Sequence, residues 1–426
     1  MFTRLHPRRA GARAVMLAVG FLALTTSSVR AQDEELRFDG EYGLYVRVVD
    51  DGLEVRWITA EAGPGMLHAF VESEEIERVR TASAQTHFVF VETLAPEVTL
   101  VYGADGGEAH RTAIVREPRA EPEIEIDGVE TAYMFGDVHG EFDRVVGLLR
   151  NARLIDEELE WAGGDSHLVF LGDIFDRGDD VTRVLWFLYR LEREAAQAGG
   201  AVHVVLGNHE VMVMSDDDRY VGFKETAIAQ AHGVKYAKLF DPHDSVLGRW
   251  LAHKPGLVRM EDLLLAHGGV SPEYRDYTLQ GYQDSLRTFI DEELFKRWGD
   301  QEYLDSYGED PEPDEFIADS LGVLRRWNFF FEGSSVLWFR DLVQSDTLGV
   351  FLDEVLEHFD TKVHVVGHTP VKTIREMYDG KLIATDLEEA ATELLHLARR
   401  KDGGWDRYRI PLLGEPTPLA ELHSER

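Results

Sequence analysis

Gly136-Asp137-Val138-His139-Gly140, Gly172-Asp173-Ile174-Phe175-Asp176-Arg177-Gly178 and Gly207-Asn208-His209-Glu210 are three versions of one design: an apolar run, a glycine, then side chains able to hold a metal or a phosphate. The preceding runs, 132–135, 167–171 and 202–206, are strand-like, and the first two blocks lead into longer segments with helical apolar spacing. Strand, loop and helix in alternation predict an α/β fold in which helices cover a sheet and ligands sit outside the carboxyl ends of its strands. Asp137, His139, Asp173 and Asn208 are therefore expected to converge. Two later blocks extend the series: Ala266-His267-Gly268-Gly269 after the apolar run 263–265, and Val366-Gly367-His368-Thr369 after 362–365.

Taken in order, these five blocks resemble the calcineurin-like metallophosphoesterases, within them the serine/threonine-phosphatase-like superfamily. The resemblance covers roughly residues 124–386 and implies an α+β sandwich of mixed sheets flanked by helices. It implies that Asp137 and His139 bind a first metal ion, that Asp173 bridges two, and that Asn208, His267 and His368 complete the second site. Carboxylate, imidazole and amide donors suit manganese, iron or zinc, and the lack of thiolates argues against a purely structural zinc. Arg177 stands where the family grips phosphate oxygens, a task that suits a planar guanidinium. His209 resembles the family's unmetallated histidine, which protonates the leaving alkoxide, with Asp176 to orient it.

Leu337-Trp338-Phe339-Arg340 resembles the Trp-x-Arg block of the bacterial, Shewanella-like branch of protein phosphatases, which makes Arg340 the second phosphate-binding arginine. Asp341 follows where a glycine is expected, and Arg325 and Arg326 are nearby alternatives. Purple acid phosphatases also join a β domain to this fold, but they carry an iron-binding tyrosine three residues after the bridging aspartate. Here that position is Asp176.

Composition narrows the chemistry further. The chain has 426 residues, no cysteine and 44% apolar content, enough for a substantial core and two or three domains. Without cysteine there are no disulfides and no cysteine-nucleophile phosphatase mechanism. The net charge is −35, and loss of the five arginines in the first 31 residues would take it to about −40; such a surface repels nucleic acid. Arg4, Arg8, Arg9 and Arg13 precede the apolar run 14–24, and Val29-Arg30-Ala31 follows. Residues 1–31 therefore read as a signal peptide, since about 20 apolar residues are needed to span a bilayer. Arg8-Arg9 is a weak hint of twin-arginine export.

The mature chain divides into three parts. Residues 32–117 show short alternating runs (43–49, 53–58, 66–71, 87–91, 98–102 and 111–115) with turn signals at Asp50-Asp51-Gly52, Gly63-Pro64-Gly65 and Asp105-Gly106-Gly107, predicting an all-β sandwich of the seven-strand, fibronectin type III-like class with Trp57 in its core. Residues 118–123 are a proline- and charge-rich linker. Residues 124–426 form the catalytic domain, interrupted at about 272–335 by an aromatic-rich insertion that either caps the site or packs on the core.

These readings imply an exported, periplasmic or secreted, dinuclear metal-dependent phosphomonoesterase. It would act on a phosphorylated protein or small phosphomonoester by in-line attack of a metal-bridging hydroxide, without stable membrane insertion after signal cleavage. The same metal pair also serves phosphodiesterases and nucleotide hydrolases, and an inactive metal-binding surface module is the remaining alternative.

Overall fold

Strands β6 (Glu125–Ile126) to β17 (Thr417–Pro418) build two mixed six-stranded sheets. The computed structural model describes residues 43–117, 121–293, 325 and 327–419. The expected signal peptide, residues 118–120 of the linker and residues 294–324 of the aromatic insertion lie outside the described residues. One sheet runs β17-β16-β15-β7-β8-β9, its centre formed by β7 (Thr131–Phe135), β8 (His167–Phe170) and β9 (Ala201–Val204), which are parallel, while β15 (Glu393–Arg399) joins β7 antiparallel and β16 (Trp405–Pro411) follows it. The other sheet is β13-β14-β12-β11-β10-β6. In it β11 (Leu263–Ala266), β12 (Val363–Val366) and β14 (Leu382–Ala384) are parallel, and β10 (Leu257–Met260) and β13 (Arg375–Met377) join their neighbours β11 and β14 antiparallel.

The period-2 alternation of these strands decides which residues meet between the sheets. Ala132, Met134 and Val169 of one sheet share a single buried cluster with Leu263, Leu265, Val363 and Val365 of the other. Opposite faces take helices. Phe135 and Phe170 stack at 4.8 Å, Phe142 of helix α1 (Phe142–Asn151) meets Phe187 of α2 (Val181–Ala198), and α2 packs on β9. Val181, Val184, Leu185, Leu188, Leu191 and Ala195 give α2 its buried stripe, the spacing expected of a helix laid on a sheet. It ends at Gly199, whose φ of 90° closes the last turn.

Residues 45–115 are all β, with fewer strands than the seven-strand class. β1 (Tyr45–Val49), β2 (Gly52–Val71), β3 (Glu74–Glu92), β4 (Glu97–Ala104) and β5 (Ala109–Val115) form one hydrogen-bonded antiparallel sheet. The runs 53–58 and 66–71 are two halves of β2, joined through register shifts around Gly63-Pro64-Gly65 where a turn was expected. A bulge bends a strand without ending it. The bend folds the sheet on itself: Trp57, fully buried, donates Nε1 to Gly103 O at 3.1 Å and lies 6.3 Å from the Tyr102 ring, although both partners belong to the far half of the sheet.

This sheet is bonded to the catalytic region rather than merely tethered to it. Val48 N donates to Asp244 O at 2.7 Å, Arg47 pairs with Asp244, Trp186 Nε1 donates to Leu44 O at 2.9 Å, and Arg56 donates to His232 O at 2.9 Å.

Within the described part of the insertion the aromatics pack on one another. Tyr274, Tyr282, Phe289 and Phe330 are buried, with Phe289 and Phe330 stacked at 4.5 Å and Tyr274 4.6 Å from Phe329. Trp298, Tyr303 and Tyr307 lie outside the described residues.

Candidate active site

Each expected ligand sits just beyond the carboxyl end of a strand. Asp137 and His139 follow β7, Asp173 follows β8, Asn208 opens helix α3 (Asn208–Met214) after β9, His267 follows β11 and His368 follows β12. The site thus lies where the carboxyl edges of the two sheets meet. The turns that deliver these groups are strained: φ is 44° at His139, 53° at Asp173, 67° at Asp176, 65° at Arg177 and 61° at His368, a left-handed conformation that non-glycine residues adopt only where the surroundings enforce it. Two glycines let the loops close up. A Cβ at Gly136 would lie 2.6 Å from the Thr385 backbone, and one at Gly207 would lie 2.4 Å from Asp173 Oδ1.

Donor atoms of Asp137, His139 and Asp173 lie within 4.8 Å of one another, and so do those of Asp173, His267 and His368. Asp173 belongs to both sets. Asn208 Oδ1 is 2.9 Å from His267 Nε2. Each histidine has its second nitrogen tied to a backbone carbonyl: His139 Nδ1 to Phe175 O at 2.8 Å, His267 Nδ1 to Leu171 O at 2.7 Å and His368 Nε2 to Trp338 O at 3.1 Å. That orients the other nitrogen of each ring inward, as metal-ligating histidines require.

Two observations show that these residues fit cations. His267 Nε2 and His368 Nδ1 face each other at 3.1 Å, and His139 Nε2 is buried without a hydrogen-bond partner. Burial, only partly opposed by Asp173, pushes His139 down to about 4, and burial, then His267, pushes His368 down to about 2, so both present neutral lone pairs. The carboxylates show the complementary stress. Burial and the neighbouring Asp386 and Asp173 hold Asp137 well above the usual carboxylate range, and burial, then Asp173, raises Asp386 to about 7. Positive charge among them relieves both.

His209 belongs to neither donor set. Its Nδ1 lies 2.5 Å from Asp176 Oδ2, its Nε2 3.7 Å from Asp173 Oδ2, and its backbone N–H donates to Asp173 Oδ1 at 3.0 Å. Burial works against the imidazolium, but Asp173 and Asp176 outweigh it and raise the His209 pKa. Arg177 is exposed beside this pair; its backbone N–H donates to Tyr220 O at 2.9 Å. Arg340, half-buried, donates to His368 O at 2.5 Å. All ten predicted site residues are therefore gathered in one place. Arg325 is exposed on a helix, and Arg326 lies outside the described residues.

Two residues matter more here than their sequence positions suggest. Glu210, fully buried, accepts from the backbone N–H groups of Asp173 at 2.9 Å, Ile174 at 2.7 Å and Gly207 at 2.8 Å, binding the second block to the third. Asp386, just beyond β14, hydrogen-bonds Asp137. The first could be read from the Gly207-Asn208-His209-Glu210 block, but two of its three partners lie 36 and 37 residues away.

Residues 131–385 match the calcineurin-like phosphoesterase family. The chain belongs to that family. This calcineurin-like chain is 40% identical over 92 residues to Shewanella-like protein phosphatase 2 of Arabidopsis thaliana, a stretch that spans 22% of this chain and 24% of the plant protein. It is 31% identical over 196 residues, 45% of this chain and 62% of the other, to a symmetrical bis(5'-nucleosyl)-tetraphosphatase of Histophilus somni. Among solved structures, a cold-active protein tyrosine phosphatase superposes with a TM-score of 0.67 at 27% identity, covering 90% of this chain and 98% of that one.

Proposed function

We propose that this calcineurin-like chain is an exported, dinuclear metal-dependent phosphomonoesterase that acts on phosphorylated protein side chains. The observation that carries the reading is the sharing of Asp173 between two donor sets, immediately beside the His209–Asp176 pair. One set of three would serve a single ion; two sets with a common carboxylate suit a bridged pair. Asp137, His139, Asp173, Asn208, His267 and His368 would hold the ions, which would supply Lewis acidity to phosphate oxygens and lower the pKa of a water for in-line attack.

The remaining steps belong to the chain's own side chains. Arg177 and Arg340 hold the non-bridging phosphate oxygens. Asp176 accepts a hydrogen bond from Nδ1–H of His209, leaving Nε2–H to protonate the departing oxygen, so an alkoxide leaves as an alcohol. Glu210 keeps the Asp173 and Asn208 loops in register while this occurs.

The likeness to a tyrosine phosphatase structure and to Shewanella-like phosphatases supports phosphoprotein substrates. The tetraphosphatase relative supports a second reading, hydrolysis of nucleoside polyphosphates on the same site. A panel of phosphotyrosyl and phosphoseryl peptides, diesters and dinucleoside polyphosphates, assayed on the manganese-reconstituted protein, separates them. Turnover of peptide monoesters above all others supports the proposal, and preferential cleavage of dinucleoside polyphosphates overturns it.

A further inference from the structure

One aromatic ring beside His209 is open to solvent. Tyr220 is 51% exposed, unusual for a ring set against a catalytic centre, and its centroid lies 5.5 Å from that of His209 at an interplanar angle of 60°. His209 turns Nδ1 to Asp176 and Nε2 toward Asp173. Tyr220 is thus an exposed aromatic ring in edge contact with that imidazole, within reach of the organic group of an ester whose leaving oxygen takes its proton from Nε2.

Tyr220 is held there by its own backbone. Its carbonyl accepts from Arg177 N at 2.9 Å, and on its C-terminal side Lys224 pairs with Asp180 at 2.5 Å while Glu225 accepts from Thr182 N at 3.0 Å. The stretch 220–225 is thus clamped to residues 177–182, which holds the backbone carrying the exposed ring beside Arg177. An exposed tyrosine makes an inexpensive contact surface, because it has only two side-chain torsions to lose on binding.

We propose that Tyr220 is a specificity-determining residue whose ring packs against the side chain bearing the phosphate, and so favours flat aromatic leaving groups over short alkyl ones. The proposal rests on the monoesterase reading above. A ring-on-ring contact is worth about 0.5–1.5 kcal/mol beyond area burial, which sets the expected size of the effect. A merely structural role for Tyr220, as packing that steadies His209, would act on turnover instead and would be felt most by the substrates that most need an acid.

The test compares two peptides of identical sequence, one phosphotyrosyl and one phosphoseryl, with the full chain loaded with manganese. Tyr220→Ala is expected to raise KM for the phosphotyrosyl peptide about two- to twelvefold with kcat nearly unchanged and to leave the phosphoseryl KM unchanged, while Tyr220→Phe keeps the wild-type constants. An unchanged or equally shifted KM on both peptides, or a loss confined to kcat on the phosphoseryl peptide, overturns the role given to Tyr220. Wild type inactive on both peptides overturns the monoesterase reading itself, and with it this proposal.

Discussion

His209 and Asp176 meet with Nδ1 2.5 Å from Oδ2, both buried, while the other ring nitrogen of His209 stands 3.7 Å from Asp173 Oδ2. One carboxylate fixes the tautomer, and a second, shared by both donor sets, fixes where the free nitrogen points. The imidazole is thereby placed at the edge of the two donor sets without belonging to either.

From that placement follows a leaving-group dependence. An acid matters most when the departing oxygen is basic, as in an alkyl phosphate, and least for an acidic phenol. His209→Asn is expected to lower turnover of alkyl phosphates by on the order of a hundredfold, with a visibly smaller loss on activated aryl phosphates and no loss of bound metal. Parallel loss on both substrate types, measured by steady-state kinetics, would show that His209 is not the acid.

Glu210 carries three backbone hydrogen bonds on a fully buried carboxyl group. Glu210→Gln leaves at least one of those N–H groups without its acceptor. It is expected to cost about 3 kcal/mol in denaturant unfolding and to weaken metal binding, because Asp173 and Asn208 lie on the loops it joins.

Glu225 gives a pH signature away from the metal site. Burial, opposed by its bonds to Thr182, raises its pKa from 4.5 to about 7, so the folded chain binds this proton more tightly than the unfolded chain. Its contribution to stability is complete below pH 4.5 and is lost as pH rises through 7. The stability of wild type relative to Glu225→Gln should therefore fall between pH 5 and pH 8, as read from paired urea melts. A constant difference across that range would place the proton elsewhere.

The N-terminal sheet supplies no expected ligand, yet Arg47, Val48, Leu44 and Arg56 are bonded to the catalytic region. A chain shortened to begin at Glu121 is expected to keep its turnover of a small aryl phosphate and to melt several degrees lower. A folded but inactive shortened chain would show that the sheet contributes to the site.

Much of this site was legible because its residues occupy positions where a glycine-flanked turn ends a strand, and the order of such turns is visible in a linear sequence. His267 and His368 could be paired with Asp173 because the order of these turns resembles the family's, although 94 and 195 residues separate them from it. Less legible was β2, because Gly63-Pro64-Gly65 has the composition of a hairpin turn, while only the pairing of both halves with β3 reveals a continuous strand. Glu225 and Tyr220 gave no signal: each is placed by contacts with residues 177–182 that no local spacing encodes. The sharing of Asp173 was implied by the resemblance alone, since it is a matter of side-chain direction, which periodicity does not carry.

The central claim is that Asp173 joins two metal sites into one, and elemental analysis of the purified protein after manganese loading tests it most directly. Two ions per wild-type chain and fewer than one per Asp173→Asn chain are expected, since removal of a bridge weakens both sites. One tightly held ion in a fully active wild type, or two ions retained by Asp173→Asn, would contradict the account.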